Sequence, residues 1–135
     1  MKKISILFLL YCVIGIGFLT NVQASPVIVS KASGASEMTV NEIKKIFQGK
    51  KSGWETIELK KGNELREQFS QAIFGKSAEE MDRYYMKRSI SGKGQPPRIA
   101  ENTAEVKTLV AVGVKTIGYV EERDTDSSVT IVYRF

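Results

Sequence analysis

Apolar residues recur along this chain in three rhythms, and each predicts a different kind of element. From Ile4 to Leu19 they are almost continuous. Between Val40 and Val110 they return every three or four positions in several short stretches, the spacing of helices that bury one face. Pro26–Ser30, Thr116–Val120 and Val129–Tyr133 are short runs rich in β-branched residues, which suit buried strands.

Capping and breaking residues sharpen this outline. Strand Pro26–Ser30 leads into a loop of small residues, Lys31–Glu37. Thr39-Val-Asn-Glu42 is a capping box, so a helix follows that buries Val40, Ile43, Ile46 and Phe47 and stops at Gly49. Thr56–Leu59 reads as a second strand. Asn63 is a natural N-cap for a helix over Glu64–Phe74, with Leu65, Phe69, Ala72 and Ile73 on one face and Gly75 at its end.

Ser77-Ala-Glu-Glu80 is a second capping box. It opens a helix to about Arg88, with Met81, Tyr84 and Tyr85 turned inward. Two glycines and two prolines exclude both helix and central strand from Ser91–Pro97. Arg98–Ala100 is a short strand. Asn102 or Thr103 caps a last helix carrying Val106, Leu109 and Val110, which ends at Gly113. Gly118 in strand Thr116–Val120 marks close packing or a bend. Glu121–Ser128 reads as a polar, hairpin-like connection to Val129–Tyr133. Interleaved strands and helices predict an α/β fold, a small mixed and largely parallel sheet flanked by helices.

The first apolar run changes the picture of where the protein works. Lys2 and Lys3 precede it, and Val22-Gln23-Ala24 follows as a small-residue cleavage pattern. That order is a secretory signal peptide over residues 1–24, cleaved before Ser25, which predicts a periplasmic or secreted protein. The run falls short of the ~20 residues that span a bilayer. Tyr11 before Cys12 does not fit a lipoprotein signal, so residues 25–135, without cysteine, form a single domain.

Composition then narrows the chemistry. The net charge of +5 is mild and scattered, and predicts no nucleic-acid partner. Histidine is absent and the one cysteine lies in the leader. Ser-His and Cys-His nucleophile pairs and the common transition-metal ligands are thereby excluded. Carboxylates such as Glu42, Glu58, Glu64 and Asp82 sit where capping, helix dipoles or an edge-like strand account for them. The expectation is a protein without catalytic activity, cofactor or metal. Ser91-Gly-Lys-Gly lacks the full phosphate-loop pattern and runs into Pro-Pro rather than a helix, so it reads as a structural turn.

Oxyanion binding is the chemistry these residues best permit. Lys60, Lys61, Gly62 and Asn63 lead into a helix start, and Arg66 lies in its first turn. Helix N-termini offer free amides and partial positive charge. Ser33, in the loop after the first strand, is the sixth candidate, since ligands of open α/β sheets sit beyond the carboxyl ends of strands. The plainer alternative is that Lys60 and Lys61 solvate a turn, Asn63 only caps, and Arg66 pairs with a local acid. Glu64 at the same helix start would repel an anion.

Met38-Thr-Val-Asn-Glu-Ile-Lys-Lys-Ile-Phe-Gln-Gly-Lys50, followed by Trp54, is similar to a segment of the periplasmic phosphate-binding proteins of phosphate ABC transporters. Ile90-Ser-Gly-Lys-Gly-Gln-Pro-Pro97 and Thr116-Ile-Gly-Tyr-Val120 resemble the short, single-lobe branch of that superfamily. The resemblance covers nearly all of residues 25–135. It implies one lobe of a type II periplasmic binding protein, a phosphate-like inorganic anion as ligand, and a role in phosphate ABC transport.

Family phosphate binders carry an Arg and a Ser-Gly-Thr triplet at a helix start. The matching stretch here is Lys60–Arg66, with Asn63-Glu64-Leu65 in the triplet's place. Full-length relatives close two lobes over the ligand, and residues 25–135 suffice for one. A homodimer, or docking on a membrane transporter or envelope protein, would restore the desolvation that strengthens anion contacts. The alternative is an accessory protein of the envelope that kept the lobe fold and lost the ligand. Convergence of the six candidates on one concave spot would mark a binder. An apolar patch around Trp54, Tyr84 and Tyr85 would mark an interaction protein.

Overall fold

A computed structural model describes residues 24–135. The segment read as a signal peptide lies outside them, except for its last residue, Ala24. Strands β1 (Pro26–Ser30), β2 (Glu55–Leu59), β3 (Arg98–Ala100), β4 (Thr116–Tyr119) and β5 (Val129–Arg134) form one sheet in the order β3-β2-β4-β1-β5. Helices α1 (Val40–Phe47), α2 (Glu64–Phe74), α3 (Ala78–Ile90) and α4 (Thr103–Val112) pack around it. The mixed α/β sheet expected from the sequence is present. β2 pairs parallel with β3 and β4, while β1 pairs antiparallel with β4 and β5.

The caps read from the sequence hold these helices. Thr39 accepts from the Glu42 amide at 3.2 Å and Ser77 from the Glu80 amide at 3.1 Å. Asn102, rather than Thr103, caps α4 through the Glu105 amide. Gly75 ends α2 with φ of 65°, a left-handed conformation that costs glycine little.

Two expectations about connectivity need correction. Glu121–Ser128 is not hairpin-like, because β1 lies between β4 and β5 and pairs with both. The strand carrying Glu58 is not edge-like either. β2 is interior, and β3 and β5 form the two edges. The first follows from β1, a fully buried run rich in β-branched residues that inserts between β4 and β5, and the second from β3, which pairs with the outer side of β2.

At the free end of β1, Ser25 and Phe135 exchange two backbone hydrogen bonds, at 2.8 and 3.0 Å. Alternation along β4 sends Gly118 and Tyr119 to opposite faces. On one face Gly118 lies against Val106 of α4 and Ile57 of β2. On the other, Tyr119 stacks on Phe69 of α2 with ring centroids 4.0 Å apart.

A Cβ at Gly118 would lie 2.5 Å from the Val106 methyl, and Val106 is fully buried and short. Gly118→Ala should therefore destabilise the fold by about 1–3 kcal/mol through overpacking. Urea unfolding checks this, and a change below ~0.5 kcal/mol would mean that α4 yields freely.

Candidate binding groove

A groove of about 500 Å³ lies at the β2–β3 end of the sheet, from Pro96 and Pro97 before β3 to Lys61 beyond the carboxyl end of β2. Its floor carries charge and its rim is apolar. Glu58 on β2, Arg66 in the first turn of α2 and Asp82 on α3 form the floor, with Lys61 at the side. Met86, Ile90 and Ile99 stand on the rim, 62%, 82% and 51% exposed.

Arg66 is almost wholly buried, and its guanidinium is held between two carboxylates. Nη2 donates to Asp82 and lies 3.5 Å from Glu58 Oε2. The Tyr119 hydroxyl accepts from the Leu59 amide and donates to Glu58 Oε1, both at 3.2 Å. Burial pushes the Glu58 carboxyl up to about 7, and Arg66 and the Tyr119 hydroxyl offset that only in part. Burial pulls Arg66 down, but Glu58 and Asp82 outweigh it and hold the guanidinium above its ordinary value. Arg66 Nε and the Tyr85 hydroxyl are buried without a hydrogen-bond partner among the described residues.

Five of the six sequence candidates lie at this end of the sheet. Gly62, with φ of 87° and open space where a Cβ would stand, makes the turn before α2. Asn63 Oδ1 accepts from the Leu65 amide at 2.9 Å and the Arg66 amide at 3.4 Å, so these two amides of the helix start are already satisfied. Lys60 pairs with Glu101 at 3.0 Å. Lys61 forms no ion pair among the described residues and lines the groove.

Ser33 does not join them. β1 runs antiparallel to β4, so the loop after β1 lies beyond the start of β4, where Ser30 bonds the Val114 carbonyl and the Thr116 amide. That is the amino end of β2. A strand of five residues, ~17 Å, separates Ser33 from the groove. Its hydroxyl instead donates to the Ser30 carbonyl at 2.6 Å.

The plainer sequence reading thus describes Asn63 and Arg66 as the structure places them, while Lys60, which it left to solvate the turn, pairs with Glu101. Sequence reasoning missed Glu58 as a site residue. The signal available was a carboxylate between Ile57 and Leu59 in a strand with apolar neighbours, and burial decides its role. The aromatic patch that would mark an interaction protein is not formed by Trp54, Tyr84 and Tyr85, which pack on the core. Tyr85 is buried, Trp54 and Tyr84 are half-buried against the core, and Tyr84 donates to the Gln48 carbonyl at 2.9 Å.

No family model matches the sequence, and no curated protein matches it either. Solved structures do. One is a phosphate ABC transporter substrate-binding protein of Clostridium perfringens with bound phosphate, at TM-score 0.65 and 22% identity over 81% of this chain and 44% of that one. Another is an ABC-type phosphate transport receptor of Vibrio cholerae, at TM-score 0.62 and 14% identity over 81% of this chain and 45% of that one. The chain spans less than half the length of either. What it has in common with them is the fold, a mixed α/β sheet flanked by helices.

Proposed function

We propose that this chain is an exported, non-catalytic solute-binding lobe whose ligand is phosphate or a related oxyanion, serving phosphate ABC transport. One observation carries the reading. Arg66 sits at the floor of the groove, and its outer partner Asp82 is a half-exposed carboxylate. On this reading a bound oxyanion would take the place of Asp82 beside Arg66. A charge-assisted contact of this kind is exchangeable, because a second oxyanion can accept the same guanidinium donors. Lys61 adds an unpaired positive charge at the side, and Gly62 lets a ligand approach the backbone.

Competition with Asp82 makes the native affinity weak and gives the reading a sharp test. Asp82→Asn should tighten phosphate binding, and Lys61→Ala in that background should weaken it again. A thermal-melt titration with phosphate, against sulfate at matched ionic strength, reads both. Saturation at ~100 times the dissociation constant adds roughly 2.7 kcal/mol, a shift of several degrees. Equal small shifts with both anions would be a general salt effect and would count against phosphate. No shift in Asp82→Asn at millimolar phosphate would overturn the reading.

A second reading is favoured by a specific observation. Glu58 and Asp82 already neutralise Arg66, and large apolar side chains line the rim above them. On that reading the chain is an accessory protein of the envelope that binds a protein rather than a solute.

A further inference from the structure

Met86 and Ile90 are four residues apart, so they form one stripe along the last turns of α3. Both are exposed, and the stripe is a ridge between two grooves. On one side is the groove above Arg66. On the other is a second groove of about 500 Å³, lined by Lys76, Glu80, Arg83, Tyr84 and Lys87. A ridge bordered by a groove on the same helix face can be self-complementary about a twofold axis. The ridge of one copy fills the groove of the other, and the reverse holds at once.

Charge along α3 selects the orientation. Its first turn carries Glu79 and Glu80, and its last turn carries Lys87 on the groove side, while Arg88 turns away to the Gly49 and Lys93 carbonyls. Two copies of α3 laid antiparallel bring each acidic first turn against a basic last turn, and the two helix dipoles oppose favourably. A parallel arrangement would put like charges together.

We propose that α3 is the contact helix of a symmetric homodimer, packed antiparallel against α3 of a second copy through Met86 and Ile90. Glu80 of each copy then faces Lys87 of the other. The inference is independent of the ligand, since phosphate binding and self-association are read in separate experiments. Within one helix Glu80 and Lys87 are seven positions apart, too far for direct pairing.

Sedimentation velocity on the purified protein at high micromolar concentration tests it. The native protein should sediment at twice the chain mass and Ile90→Glu at the chain mass, with unchanged far-ultraviolet dichroism. Glu80→Lys should weaken the dimer, and adding Lys87→Glu should restore it by exchanging the charges. Restoration is the decisive readout, because damage to folding would not be repaired by a second substitution. A monomeric native protein overturns the proposal and leaves the ridge to a different protein. A dimer that survives Ile90→Glu, or a double variant no better than the single one, overturns it as well.

Discussion

Replacing Phe69 with alanine should cost the fold about 3–5 kcal/mol, the range for an aromatic side chain removed from a sealed core. Phe69 is wholly buried and is the hub of the aromatic cluster. Its ring stacks on Tyr119 and meets Phe47, Phe74 and Phe135 edge-on, at 4.9, 5.9 and 5.4 Å between centroids. It thus joins α1, α2, β4 and the last residue of the chain. Collapse into the gap would have to move several rigid rings together, so little of the lost packing is recovered. Tyr119 would also lose the surface that orients its hydroxyl toward Glu58. Guanidinium unfolding measures the loss. A cost below ~1.5 kcal/mol would mean that the aromatic cluster repacks and is not the rigid centre of the fold.

Arg66→Met should show the second large effect, and its size should depend on pH. The substitution leaves Glu58 buried without its cation. Breaking a buried pair in this way costs about 3–5 kcal/mol when the remaining group is charged. Glu58, however, is already raised to about 7 by burial. At pH 5 it is protonated in the folded protein, so the stranded group is neutral and the cost falls. At pH 8 the full penalty appears.

The same group gives the native protein a pH dependence of definite sign. Its folded pKa lies above the ordinary 4.5, so the folded state holds the proton more tightly than the unfolded chain. Stability from this group is complete below about 4.5 and declines as pH rises toward 7, by roughly 3 kcal/mol in all. Glu58→Gln should remove the decline and be at least as stable as the native protein at pH 8. Urea unfolding of the three proteins at pH 5 and pH 8 decides the matter. If Glu58→Gln is less stable at pH 8, the ion pair with Arg66 outweighs its desolvation.

Local structure was legible in the sequence because it is written in local signals. Asn63 and Gly75 bracket α2, the Thr39 and Ser77 boxes open α1 and α3, and Gly118 sits where β4 meets a helix. What was not legible is the direction of β1. Val27, Ile28 and Val29 have the same burial in a parallel or an antiparallel partner, so the pattern of side chains does not distinguish the two. That one ambiguity moved Ser33 to the wrong end of the sheet.

The site was read in part for a similar reason. Lys61, Gly62, Asn63 and Arg66 are close in sequence, and their common location follows from the turn itself. Glu58, Asp82 and Tyr119 meet Arg66 only through tertiary packing. No local pattern encodes that meeting. That Arg66 could pair with an acid was visible from the start, but which carboxylates it meets was not.

The paired backbone bonds between Ser25 and Phe135 have a consequence for how the chain can be rewired. Residues that exchange both bonds across antiparallel strands have Cα atoms about 5.5 Å apart, so a linker of a few residues could join Phe135 to Ser25 with the sheet undisturbed. The described domain is in this sense already a closed loop with a nick. New ends could be opened in the exposed glycine-containing stretch from Ser91 to Gln95, far from β1 in the chain. Such a circular permutant would keep every strand pairing while delivering both termini beside the groove, where a fused reporter would sense its occupation.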